Sequence, residues 1–197
     1  GIFRCSSGCC VGTAKAGSVH SDSEETAMNS NTTVTQPAVY VGTYHKYNCG
    51  SIAGAWLTLT DYDDEASFYA ACRALHSNEA DPELMFQDIE GIPDAFASEC
   101  SVDWSFVEGF REASEAGKAG AYVVWTKLTG STDFDDFDNA YRGETTCEEA
   151  YAMNYVEEHG LLDGMPEDMR DYFDYSAYGR DLFLGDLTLV DGYVFGA

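Results

Sequence analysis

An α+β fold is predicted by three features of the chain. Short β-rich runs occupy its first half, an apolar period of 3.6 residues takes over from residue 101, and the end reads as a hairpin around Asp191-Gly192. Taken in order, "AVYVGTY" (38–44) alternates and is rich in β-branched and aromatic residues, so it is a strand. "GAWLTL" (54–59) is a second strand. "TDYDDEASFYAACRALH" (60–76) opens with acids and then places Phe68, Ala71, Cys72 and Leu75 at helical spacing. "ELMFQDI" (83–89) is a third strand. In "SVDWSFVEGFREASEAG" (101–117), Ser101 or Asp103 is the helix cap and Val107, Phe110 and Arg111 run along one face. The next helical stretch, "AGAYVVWTKLTG", closes at Gly130.

Phe134, Phe137 and Tyr141 then fall at i, i+3 and i+7, which on a helix makes one stripe of rings. Asp135 and Asp136 point away from that stripe, and Asp133 and Asp138 flank it. "TCEEAYAMNYVEEHG" (146–160) is a helix ending at Gly160, with His159 in its last turn, where a cation suits the helix dipole. "PEDMRDYFDYSAYGRDLF" (166–183) reads as one helix with Pro166 in its first turn. On it Glu167, Asp171 and Asp174 stack as an acidic ridge opposite Met169, Tyr172 and Phe173. "LTLVDGYVF" (187–195) is the hairpin. Residues 1–37 are small and polar without an apolar period, and are expected to form a disordered leader. Trp56, Trp104 and Trp125 sit in apolar context and are expected to anchor the core.

Charge is the outlying quantity. The chain has 35 acids against 10 bases, a net charge of -25. Its first 37 residues hold three acids and two bases, so 38–197 carry 32 acids and 8 bases. Such a chain lacks the Lys and Arg needed to bind nucleic acid through phosphates, and it seeks basic surfaces instead. Its 14% aromatic content supplies a core despite the charge. With no run of eighteen apolar residues it reads as soluble and cytoplasmic, with no membrane partner. Its seven cysteines are scattered apart from Cys5, Cys9 and Cys10. The four single ones read as small buried apolar residues, and the trio lacks the second cluster a zinc site needs.

Site chemistry is mostly excluded. Asp61, Asp63 and Glu65 keep the alternation of a calcium loop, but Ala66 stands where that loop requires Gly. Nucleophile elbows, Walker loops and dinucleotide fingerprints are absent. Paired carboxylates carry no signal where acids are this dense. The densest stretch, "STDFDDFDNAYRGE" (131–144), holds five carboxylates and one base. The negative field is what remains. B-DNA carries one charge per about 1.7 Å, so 24 net charges match a duplex of about 41 Å, and the 48 of a two-fold dimer about 82 Å. Those magnitudes permit carboxylates to stand in for phosphates. Two other readings stay open on the residues alone. One is a halophilic or cation-buffering protein without a specific enzyme partner, and the other a hydrolase using buried carboxylates.

Three segments, "VYVGTYHKYNCGSIAGAWL" (39–57), "ADPELMFQDIEG" (80–91) and "FDYSAYGRDLFL" (173–184), resemble the ArdA antirestriction proteins of conjugative plasmids and transposons. Tyr47, Asn48, Gly50, Gly54 and Trp56, with the Tyr-Gly-Arg-Asp-Leu run at 178–182, are the specific part, and the resemblance extends over about 38–197. It implies an elongated homodimer imitating bent B-form DNA. This dimer would occupy the DNA channel of type I restriction–modification enzymes, on their modification and specificity subunits. It also implies three small units: α+β over 38–100, helical over 101–142, and α+β over 143–197 with the dimer contact. No catalytic residue, cofactor or metal is implied. The helical reading above supplies the expected phosphate surrogates: Asp133, Asp135, Asp136 and Asp138, then Glu144, Glu148 and Glu149, then Glu167, Asp171 and Asp174.

Overall fold

A computed structural model describes residues 34–196. The leader expected over 1–37 and the trio Cys5, Cys9 and Cys10 lie outside the described residues, except for 34–37, which belong to the fold. Pro37 is buried, and its carbonyl accepts the Leu59 amide at 2.9 Å.

Among the described residues, two three-stranded antiparallel sheets and eight helices make up the α+β fold that the sequence predicts. In the first sheet, β1 (Ala38–Thr43) lies between β2 (Ala55–Thr58) and β3 (Leu84–Glu90). Val39, Val41 and Thr43 are buried on alternate positions of β1, as a half-buried strand demands. A short helix that no local pattern signals, α1 (Tyr44–Asn48), follows β1 and is capped by the Thr43 hydroxyl. A 3-10 turn at Leu59–Asp61 delays α2, which spans Glu65–Leu75. Asp64 caps α2 in a reciprocal box with Ser67. Phe68 and Cys72 of α2 are fully buried.

Helix α3 (Trp104–Glu115) is capped by Asp103 rather than Ser101, and buries Val107 and Phe110; Arg111 is half-buried. Helix α4 (Ala119–Thr129) stops at Gly130, whose φ of 73° only glycine adopts cheaply. Gly109 lets the two helices meet: a Cβ there would fall 2.2 Å from the Tyr122 hydroxyl oxygen. Helix α5 spans Phe134–Ala140. Its ring stripe is shorter than the spacing predicts, because Tyr141 is already the first residue of strand β4 (Tyr141–Glu144). Phe137 and Tyr141 still pack, with ring centroids 5.7 Å apart.

Helix α6 (Glu148–Glu158) follows, with His159 as its C-cap. The single helix expected over 166–183 does not form. The segment breaks into α7 (Glu167–Arg170) and α8 (Tyr175–Phe183), because the Asp174 carboxylate accepts the Ala177 amide at 2.9 Å and starts a new helix. Gly179 brings α8 against the first turn of α6; a Cβ there would lie 2.6 Å from the Glu148 carbonyl oxygen. The hairpin forms as predicted from β5 (Leu187–Val190) and β6 (Tyr193–Gly196). Asp191 and Gly192 both have positive φ, 50° and 86°, which suits a tight hairpin turn. In the second sheet β6 lies between β4 and β5.

A continuous apolar core runs from Val39 through Trp104, Tyr122 and Phe137 to Phe195. It is knitted by rings, with Phe96 stacked on Phe106 at 5.4 Å and Tyr122 edge-on to Phe137 at 5.4 Å. Trp104 and Trp125 are buried in it as expected. Trp56 is not: it is 42% exposed on β2, the sheet's edge strand, edge-on to Tyr40. Of the four single cysteines only Cys72 is buried; Cys49, Cys100 and Cys147 are exposed.

Candidate partner-binding surface

Thirty-two carboxylates lie within residues 34–196, and every one except the half-buried Glu79 is exposed. Helix starts hold several of them. Asp133 caps α5 and accepts the Asp136 amide at 2.9 Å. Asp135 and Asp136 follow in the first turn, where negative charge meets the positive end of the helix dipole. Asp138 differs, since it pairs with Lys118 at 2.5 Å. Lys118 also sits 5.2 Å from the centre of the Tyr141 ring. Glu144 ends β4 opposite Tyr193, and Glu148 and Glu149 form the first turn of α6.

The structure thus gathers Asp133, Asp135, Asp136 and Asp138 on one short helix and sets Glu144 on the strand that follows. It does not gather Glu167, Asp171 and Asp174 into a ridge. Glu167 begins α7, Asp171 follows that helix, and Asp174 caps α8. Met169 and Tyr172, expected on the face opposite that ridge, are 51% and 82% exposed. Asp61, Asp63, Asp163 and Asp168 are exposed, like the ten expected surrogates. Exposure alone does not rank them, and no local sequence signal would have.

Neutralising partners are few. Three ion pairs form among the described residues: Lys46–Glu79, Lys118–Asp138 and Arg180–Asp181. Glu79 is the one paired carboxylate that is half-buried. Desolvation pushes its carboxyl up, but donors from Thr43 and Lys46 outweigh this and hold it below the ordinary value. Asp64 also titrates low, chiefly because the Ser67 amide and hydroxyl donate to it. Both displaced carboxylates therefore move away from the raised value a general acid needs near neutral pH.

A cavity of about 890 Å³ lies between the 91–95 loop, α4 and the hairpin turn. Ile92, Val123 and Val124 line it, with Asp94, Lys127 and Asp191 as the charged groups and no Ser, Cys or His among the described residues of its lining. Among the described residues no group of His, Cys, Asp and Glu is arranged to hold a metal ion. No helix there is long and apolar enough to cross a membrane.

Fold and surface together define an acidic α+β protein whose charge is carried on its outside and not gathered in a pocket. The family described as antirestriction protein (ArdA) matches residues 39–195, and the chain belongs to it. No curated protein matches the chain.

Proposed function

We propose that this protein inhibits type I restriction–modification enzymes by imitating DNA. Its homodimer enters the DNA channel formed by the modification and specificity subunits and competes with incoming DNA. The observation that carries this reading is the outward placement of 31 of 32 carboxylates over a ring-packed core, with only three ion pairs among the described residues. A channel lined with Lys and Arg attracts such a polyanion from a distance and fixes it by charge-assisted contacts. Carboxylates already held by caps and strands need no bending of DNA at the moment of binding, so part of the deformation cost of the true substrate is avoided.

On this reading the units 38–100, 101–142 and 143–197 are successive segments of the mimic, and the last makes the dimer contact. Asp133, Asp135, Asp136, Glu144, Glu148, Glu149, Glu167, Asp171 and Asp174 stand in for phosphates. Asp138 does so less, because Lys118 already neutralises it. The protein needs no cofactor, metal or catalytic residue, binds no nucleic acid, and works in the cytoplasm.

The test is titration of a purified type I methyltransferase, loaded with labelled duplex, with this protein. Displacement of the duplex is expected. Single acid-to-amide changes should alter it little, and a dozen spread over the surface should abolish it. A folded twelvefold variant that still displaced the duplex would sink mimicry.

A further inference from the structure

Three arginines bypass the carboxylates that outnumber them. Arg111 of α3 donates from Nη2 to the Tyr62 carbonyl at 2.6 Å. Arg142 of β4 donates through Nη1 to the carbonyls of Asn139 at 2.6 Å and Tyr141 at 3.2 Å. Arg170 of α7 donates from Nε to the Met165 carbonyl at 3.1 Å and from Nη2 to that of Asp163 at 3.3 Å. The ion pairs among the described residues use Lys46, Lys118 and Arg180 instead. A guanidinium–carboxylate fork is the stronger bond, so counter-charge does not account for where these three point.

Their acceptors share a location. Tyr62 lies between Asp61 and Asp63, Asn139 and Tyr141 lie between Asp138 and Glu144, and Asp163 and Met165 precede Glu167. Each guanidinium thus pins backbone that carries acids without itself pairing with them; of these acids Asp138 alone forms an ion pair among the described residues, and that is with Lys118. Asn139 is in the last turn of α5, whose carbonyls lack intrahelical partners and favour a cation. Arg142 is also seated over Gly196, where a Cβ would fall 3.0 Å from its Nη2.

We propose that Arg111, Arg142 and Arg170 are positioning residues for the acidic surface, holding the backbone that aims its carboxylates at a basic partner. This rests on the DNA-mimic reading. It makes a prediction opposite in sign to the charge. Replacing an arginine makes the protein more negative, so a role through the field alone would tighten binding to a basic channel.

The experiment uses the full chain with R111M, R142M and R170M, singly and together, and the matching lysine variants. Displacement of labelled duplex from a type I methyltransferase is measured over a range of salt. Each methionine variant should compete about three- to tenfold more weakly than wild type. Its salt dependence should also be shallower, because fewer carboxylates reach their partners. Lysine keeps the charge but not the planar fork and should fall in between. A merely structural role would lower thermal stability without changing the salt slope. Gly196→Ala crowds the Arg142 guanidinium at constant charge and should weaken competition too, which covers the case of an R142M that fails to fold. Folded arginine variants that compete as well as a competent wild type, or better, overturn this inference alone. A wild type that displaces no DNA overturns the mimic reading with it.

Discussion

The Tyr122 hydroxyl is where two helices and a loop are fastened. It donates to the Thr132 carbonyl at 2.7 Å, and its ring is buried against Phe106 and Phe137. Tyr122→Phe keeps the ring and leaves that carbonyl short of a donor, so chemical denaturation should show a loss of about 1 kcal/mol. Cys72 gives a second residue-scale expectation. Burial pushes its thiol from 9.0 up to about 12. Below pH 9 the thiol is protonated in both states and its contribution is complete. Between pH 9 and 12 the unfolded chain ionises while the folded one resists, so stability falls as pH rises. Tyr62, Tyr69 and Tyr193 are raised by burial as well and add to the alkaline loss. Unfolding free energies measured across this window should fall less steeply for Cys72→Ala than for wild type. An unchanged slope would place the thiol in contact with water.

At the scale of elements, Asp133 should behave differently from its neighbours because it has a structural bond to lose. Asp133→Ala removes the cap of α5 and should cost about 1 kcal/mol, whereas Asp133→Asn keeps an acceptor and most of the stability. Asp135→Asn has no such bond to lose and should stay within about 0.5 kcal/mol of wild type. Thermal melts of the three variants decide this, and equal losses at both positions would remove the cap from the account. The same distinction separates what was legible in the sequence from what was not. Strands β1 to β3, helices α2 to α6 and the Asp-Gly hairpin follow from period, caps and turn chemistry. Strand β4 did not, because Tyr141 continues the ring spacing of Phe134 and Phe137 while its backbone turns to pair with Phe195. That pairing is a long-range fact, and local spacing does not record it. The 166–183 segment failed for a related reason. An Asp at helical spacing reads equally as a member of a face or as the cap of a new helix, and for Asp174 the cap prevails. The general site was legible as charge and the ranking of its carboxylates was not, because surface position depends on how the elements pack.

For the whole molecule, salt should act in opposite directions on folding and on binding. A net charge of -25 repels itself, and the ion pairs among the described residues relieve little of it. Raising salt from about 0.1 M to about 1 M shortens the screening length from about 10 Å to about 3 Å, which weakens that repulsion. The melting temperature should therefore rise. Competition with DNA depends on contacts between carboxylates and a basic channel, and over the same range it should fall steeply. A buffering or halophilic protein would show only the first trend, and would be unfolded at the low end because its core could not outweigh the repulsion. Here the core runs from Val39 to Phe195 through stacked and edge-on rings, and it should hold the fold at 0.1 M. Circular dichroism and DNA displacement on the same samples check both trends together. Loss of structure at about 0.1 M would favour the halophilic alternative. Displacement undiminished at about 1 M would mean that charge is not what the partner reads.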